Sequence, residues 1–288
     1  MAGSGFHSLA RPPFGPYRPI VYRHALAVSA AALWAFYTLP AAAESPPPRW
    51  TGPFGGEFHA SFTIASDYAQ SGISNTQNQP AFQAQIDWHS PYLLANGPPL
   101  RVYGTASITN VDFPDVGPGE EVDLGAGVKL GLLDKRLNLD VGYIRYLYPG
   151  YPADAAEEWG EWSVKLAYDF GPLIAEARLR YSPDTVLHSG KAWNKRGLVT
   201  VPIDFLPLPE GLGLKVYGSL GNVWIEKPEM LELPRNDWWY WQVGLVVSAI
   251  PLGVDVTFAY TDTDISSEHC GFTRACEGRL FMSVTKVF

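Results

Sequence analysis

From about residue 57 to the end of the chain, apolar and polar residues alternate in short runs broken by Gly-, Pro- and Asn-rich stretches. Val122, Leu124, Ala126, Val128 and Leu130 share one face of an extended segment, with Glu121, Asp123, Gly125, Gly127 and Lys129 on the other. Leu212, Leu214, Val216, Gly218 and Leu220 oppose Gly213, Lys215, Tyr217, Ser219 and Gly221 in the same way, and Trp239, Trp241, Val243, Leu245 and Val247 line up on a further segment. A period of two is the signature of a β-strand with two unlike faces. The pattern predicts twelve strands, the first six being Glu57–Gln70, Ala81–His89, Leu100–Asn110, Glu121–Leu132, Leu137–Tyr148 and Trp159–Phe170. The remainder are Leu173–Ser182, Lys195–Phe205, Leu212–Trp224, Trp238–Ala249, Val254–Thr261 and Arg279–Phe288. On the last strand Leu280, Met282, Val284 and Phe288 share a face, and the chain stops on that aromatic residue.

The connections fall into two sets. With the N-terminus on the periplasmic side, four of the even-numbered connections are tight: Leu133–Arg136, Gly171–Pro172, Leu206–Gly211 and Ile250–Gly253; Ser90–Pro99 is a long exception. The odd-numbered ones, Ser71–Pro80, Val111–Glu120, Pro149–Glu158, Pro183–Asn194, Ile225–Asp237 and Asp262–Gly278, are longer and rich in Pro, Gly, Asn and acids. Short turns at one end and long loops at the other describe an all-β, antiparallel, up-and-down transmembrane barrel of about twelve strands, with periplasmic turns and extracellular loops. A soluble barrel also alternates, but its outer face is charged and solvated. Here the charged face also carries Gly, Ser, Thr and Tyr, as a lumen does. Tyr68, Trp88, Tyr148, Trp159, Trp162, Trp224, Trp238, Trp239 and Tyr260 sit near strand ends, the expected place of interfacial girdles.

The first 43 residues change the compartment. Arg11, Arg18 and Arg23 precede an apolar run from Ala25 to Leu39 and then Pro40-Ala41-Ala42-Ala43, a basic–apolar–small order that reads as a secretory signal peptide cut after Ala43. Residues 44–56 then form a short periplasmic segment and 57–288 the barrel. The run is too short for a bilayer-spanning helix, and no later stretch is long and apolar enough for one. An exported chain of this kind spans a membrane only as a closed barrel. Cleavage removes three of the 21 bases and none of the 29 acids, moving the net charge from −8 to −11. That acidity argues against nucleic acid as a partner.

The first hairpin reads Ser66-Asp67-Tyr68-Ala69-Gln70-Ser71-Gly72-Ile73-Ser74-Asn75-Thr76, then Pro80-Ala81-Phe82-Gln83. It resembles the opening S-x-Y-x-x-x-G-I-S-x-T of the TorF family, porin-like Gram-negative outer-membrane proteins first catalogued as conserved hypothetical proteins. Asn110-Val111-Asp112-Phe113, Glu121-Val122-Asp123-Leu124-Gly125, Leu139-Asp140-Val141-Gly142-Tyr143, Tyr146-Leu147-Tyr148-Pro149 and the terminal Ser283-Val284-Thr285-Lys286-Val287-Phe288 extend the likeness across the mature chain. Ser71 stands where the family usually has Arg, so no role of that Arg carries over. The resemblance implies an outer-membrane barrel with a pore and makes Phe288 the recognition end for the barrel-assembly machinery. It supplies no substrate.

Strand parity places acids in the lumen at Glu57, Asp67, Asp87, Asp123, Asp140, Glu161, Glu176, Asp204 and Asp255, and bases at Arg101, Lys129, Lys165, Arg178, Arg180, Arg196 and Lys215. A tight turn at Gly171–Pro172 sets Lys165 diagonally from Glu176 and Glu161 from Arg180. Such pairs form a ladder facing a basic stripe of Arg178, Arg180 and Arg196, which either draws anions through the pore or holds its wall together. Lys286, on the lipid side two residues from the end, is tolerated only at the membrane's inner edge.

Cys270 and Cys276, the two cysteines of an exported chain in one loop, suggest a disulfide. Zinc-ligand spacing is missing, and the acidic residues of that loop lack the Gly and spacing of a Ca²⁺ site, so no metal and no cofactor is expected. G-x-S-x-G and H-E-x-x-H are both missing, and the four histidines after residue 43, His59, His89, His188 and His269, are scattered over lumen and loop positions. The expectation is therefore a non-enzymatic outer-membrane channel passing ions or small polar solutes. A non-conducting structural or adhesive barrel and a membrane-embedded hydrolase are the alternatives. Lipid, the assembly machinery and the solutes are the expected partners; the sequence leaves the oligomeric state open.

Overall fold

The computed structural model describes residues 50–51, 55–95, 97–113, 117–151, 158–231, 233–270 and 274–288. The leader and its cleavage point lie outside the described residues. Twelve strands make up the wall: β1 (Glu57–Ala65), β2 (Ala81–His89), β3 (Leu100–Phe113), β4 (Gly117–Leu132), β5 (Leu137–Leu147) and β6 (Trp159–Asp169). They continue as β7 (Ile174–Ser182), β8 (Ala192–Pro202), β9 (Leu212–Ile225), β10 (Asp237–Ala249), β11 (Val254–Thr263) and β12 (Arg279–Val287). Each pairs antiparallel with its sequence neighbours, and β12 closes on β1 with Thr285 opposite Thr63. The two hydroxyls at that seam lie 2.8 Å apart. This seam joins the last strand to the first, and a strand-built protein in lipid requires such closure.

The side chains are distributed inside out. Along β2, Phe82 and Ile86 are exposed while Gln83, Gln85, Asp87 and His89 are buried. On β1, Phe62 and Ile64 stand outward beside a buried Thr63, and on β12 Leu280, Met282 and Val284 flank buried Ser283 and Thr285. A water-exposed exterior of Phe, Ile, Leu and Val around a core of Thr, Gln, Asp and Arg runs against the hydrophobic effect, whereas a lipid-exposed one satisfies it. The chain is a membrane-spanning β-barrel.

Several strand limits differ from the sequence expectation. β1 stops at Ala65, and Ala69–Gln70 pairs with Ile73–Ser74 as a small separate hairpin. β3 and β4 run on past Asn110 and back to Gly117, with Val111 opposite Gly119, so the long loop expected at 111–120 is mostly ladder. β8 begins at Ala192 and ends at Pro202, which leaves Asp204 exposed in a turn instead of in the lumen. Pro202 itself contributes no N–H to the ladder, which ends one bond later with Ile203 N–H donating to Leu214 O at 2.9 Å. The tight turn after β4 is built from Leu133, Asp134 and Lys135, all at positive φ, and is closed by Arg136 N–H donating to Leu133 O at 3.0 Å.

The aromatic girdle is also smaller than expected. Trp162, Trp239 and Tyr260 are exposed on the outer face, but Tyr68, Tyr148 and Trp238 are buried inside the barrel, and Trp159 shares the inward face of Glu161. Their parity matches that of lumen carboxylates, and they spend their polar atoms there. At the inner end, Phe288 N–H donates to Ala60 O at 2.9 Å, and the Lys286 ammonium lies 5.1 Å over the Phe288 ring and donates to Leu252 O.

Candidate functional site: the lumen and its first-loop plug

The first loop, residues 66–80, folds into the outer half of the barrel. Its hairpin reaches strands far from β1 around the wall. Ser71 accepts a hydrogen bond from Asn194 Nδ2 on β8 at 2.9 Å, and its carbonyl accepts one from Trp238 Nε1 on β10 at 3.0 Å. Gly72, at φ +86°, rests so close to β10 and β11 that an added Cβ lies 2.7 Å from Thr263 Cβ and 3.0 Å from Tyr240 Cβ. Only glycine accepts both the left-handed backbone and that contact. Ile73 packs into an apolar cluster of Val223, Ile225, Trp238, Tyr240, Ile265 and Cys276. On the opposite flank Tyr68 packs with Ala65, Ala81 and Val111 and donates its hydroxyl to Glu121 on β4.

Asp67 anchors the loop from within. Its carboxylate accepts from Ser74 Oγ at 2.5 Å, lies 2.8 Å from Thr76 Oγ1, and takes the Arg279 guanidinium at 2.5 Å. Arg279 in turn donates to the carbonyls of Ala275 and Glu277 in the last loop at 3.1 and 2.8 Å. That loop carries the Cys270–Cys276 disulfide, and Asn78 of the first loop donates to Arg274 O at 3.0 Å. One guanidinium thus ties plug, wall and last loop together. The sequence reading did not single out Arg279, although its odd parity with Phe281, Ser283 and Thr285 marks it as inward.

A second hydrogen-bonded cluster supports the plug from the β4–β7 side. Glu121, 1% exposed, accepts the hydroxyls of Tyr68 and of Tyr148, the latter at 2.8 Å. Glu161 accepts from Tyr146 at 2.7 Å and from Arg180 at 2.8 Å, an ion pair in which both side chains are buried. Buried charges without partners are costly, and here each carboxylate has two donors.

The charged residues of the wall face the barrel interior, Glu161 and Arg180 at the level of the plug and the others below it. Arg101, Lys129, Glu161, Lys165, Glu176, Arg178, Arg180, Arg196 and Lys215 all lie on inward positions. The pairing differs in part from the expected ladder. Lys165 lies 3.9 Å from Asp140, its direct neighbour across β5–β6, and Glu176 binds Arg196 at 3.0 Å. Glu57 reaches Arg101 at 3.3 Å, and Asp255 lies 4.0 Å from Lys215. Near the inner mouth the rings of His59 and His89 meet at 5.8 Å, and His89 ends β2. Among the described residues no group of three or more His, Cys, Asp or Glu is arranged to hold a metal ion.

Known proteins resemble this architecture. Solved structures of similar course include the NanC porin (12% identity, TM-score 0.45, covering 80% of this chain and 98% of that one). The KdgM porin matches at 7% identity and TM-score 0.44, covering 80% and 99%, and LpxR from Salmonella typhimurium at 12% and 0.41, covering 80% and 99%. No curated protein sequence matches the chain. The matching family carries the description "Bacterial protein of unknown function (Gcw_chp)", and its match, over residues 51–288, takes in the plug motif, all twelve strands and the terminal Phe288: the chain belongs to the Gcw_chp family.

Proposed function

We propose that this protein is a narrow, passive outer-membrane channel for ions and small polar solutes, throttled at its outer mouth by its own first loop. The observation that carries this reading is the wall beneath the plug. It is polar and charge-lined on its inner face from Glu57 and Arg101 at the inner end to Arg196 below Ser71, where a merely structural barrel gains nothing from buried charge. Twelve strands lie between the eight that enclose only side chains and the sixteen that leave an open channel, so the passage is small. The test is conductance: the protein, expressed from its full coding sequence and purified from membranes, gives discrete current steps in a planar bilayer. Steps that never appear, under any voltage, remove the channel reading.

One observation favours a second reading, the closed barrel with a structural or adhesive role: the first loop is seated on β4, β8, β10 and β12 at once. Loosening that loop separates the two. A channel gains conductance when Asp67 or Gly72 is replaced; a closed barrel stays silent. The hydrolase alternative finds little geometry. His59 and His89 line the inner mouth, and the contact of Ser266 Oγ with His269 Nδ1 at 2.7 Å closes a single exposed turn, where His269 N–H also donates to Ser266 O.

A further inference from the structure

The cations of the lumen are not scattered. Arg101 on β3 is the direct partner of Lys129 on β4, Lys129 of Asp140, Asp140 of Lys165, Lys165 of Arg178, and Arg178 of Arg196 on β8. Six consecutive strands therefore contribute one unbroken row of charged side chains, five cations and one acid. Three of its steps place like charges directly opposite each other: Arg101 and Lys129, Lys165 and Arg178, Arg178 and Arg196. Such pairs destabilise a sheet, and three along one row are a standing cost to the fold. With strands about 4.8 Å apart and tilted about 40°, the row climbs roughly 15 Å, from the inner mouth to the floor of the plug.

The carboxylates along the row are outnumbered. Glu57 takes Arg101, Asp140 takes Lys165 and Glu176 takes Arg196. Asp87, the next acid nearby, has both oxygens on the Gln85 amide at 2.8 and 2.9 Å. The Lys129 ammonium is buried with no hydrogen-bond acceptor among the described residues and lies 4.5 Å over the Tyr103 ring. That ring is held in place by the fold. It stands opposite Gly127, where a Cβ would lie 2.6 Å from its hydroxyl oxygen, and the hydroxyl donates to Asp140 at 2.9 Å. An unsatisfied buried ammonium on a positioned aromatic platform is a donor waiting for an acceptor. The facing wall is mostly neutral, with buried hydroxyls of Thr63, Thr257, Thr261, Ser283 and Thr285.

We infer that this staircase is a binding track for a small oxyanion, a carboxylate- or phosphate-bearing solute, whose negative group takes the Lys129 ammonium and then the guanidinium forks of Arg178 and Arg196 as it moves along the pore. Guanidinium forks match the paired oxygens of both groups. The inference rests on the channel reading for its direction of travel and not for its binding.

Two measurements on the full-length protein, in detergent and in a planar bilayer, test it. Inorganic phosphate and succinate are titrated calorimetrically against wild type, K129Q, R178Q, K129Q/R178Q and K195Q, with heat-modifiable electrophoretic mobility as the check on folding. Lys195 is the control, an exposed outward cation adjacent to Arg196. Binding of either anion, weakened roughly threefold per lumen charge removed, the Coulomb factor for unit charges about 7 Å apart in water, supports the track, with K195Q unchanged. Phosphate alone or succinate alone assigns the solute's headgroup; both together assign oxyanions in general. The single variants carry the test if the double one does not fold. Absence of binding by both anions, or binding as tight in folded K129Q and R178Q as in wild type, overturns the inference even if the bilayer shows current steps. Binding without steps leaves the track and removes the channel. In a KCl gradient the wild type is expected to favour chloride, with that preference falling in K129Q/R178Q.

Discussion

Replacing Asp67 by Asn removes the one negative charge that holds the plug to both β12 and the last loop. Asp67 is 3% exposed, and its partner Arg279 sits 2.5 Å away with two carbonyls of the last loop already on its other nitrogen. Breaking one side of a buried pair costs about 3–5 kcal/mol, because the surviving charge stays buried without its counterion. Asn keeps an acceptor for Ser74 and Thr76, so the lower figure applies, about 3 kcal/mol. At 1.4 kcal/mol per decade that raises the population of the released loop roughly 100-fold. Hydrogen exchange resolved on residues 66–80 reads the release directly, and open probability in a bilayer reads its consequence. The variant R279Q is expected to act in the same direction, and D67N/R279Q to cost less than the two singles together, since neither charge is then left alone. Unchanged exchange across residues 66–80 in folded D67N refutes the anchor and leaves the loop held by Ile73 and Tyr68 packing.

Gly72→Val forces a side chain into Thr263 and Tyr240 at a left-handed backbone position, so it is expected to expel the hairpin and raise conductance while leaving the barrel's strand content unchanged by circular dichroism. Mass spectrometry of the purified protein is expected to find no free thiol. C270S/C276S is expected to lower stability by about 2 kcal/mol for so small a closed loop, read as a shift in the urea midpoint, with increased exchange spreading into residues 66–80. Val164→Arg places a charge near the middle of the outward face of β6 and is expected to cost about 2–4 kcal/mol on folding into a bilayer; a water-facing Val164 would tolerate the change at almost no cost.

Much of this was legible because a period of two carries two facts at once, the strand and its inward face. Glu121, Asp123 and Lys129 point into the lumen for the same reason that Val122, Leu124 and Val128 point out. What periodicity does not carry is where a strand yields to a loop that folds back inside. Ser66 to Gln70 continues a plausible strand, and only the long-range partners of Asp67, Tyr68, Ser71 and Gly72 reveal that the chain has turned into the lumen. The aromatic residues misled for a related reason. Tyr148 and Trp238 stand near strand ends, as girdle residues do, yet their hydroxyl and indole N–H serve Glu121 and Ser71 inside. Register was the third gap. Parity gives a list of inward cations, but not that five of them share one row, because that follows from the stagger between strands and not from any strand by itself.

The plug and the cation row explain features of each other. A row of like charges is least costly where water reaches it, since solvent screens the repulsion that a dry interior would magnify. The loop that fills the outer half stops at Asn194, one step above Arg196, and the packed, apolar part of the lumen lies around Ile73 and Tyr68. Above that boundary Glu161 pairs with Arg180 and Asp67 with Arg279, while Glu121 and Asp123 take tyrosine and serine hydroxyls. Below it the bases exceed the acids along the row. The cation row sits on the side of the plug toward the inner mouth, where the proposed anion would offset its charge.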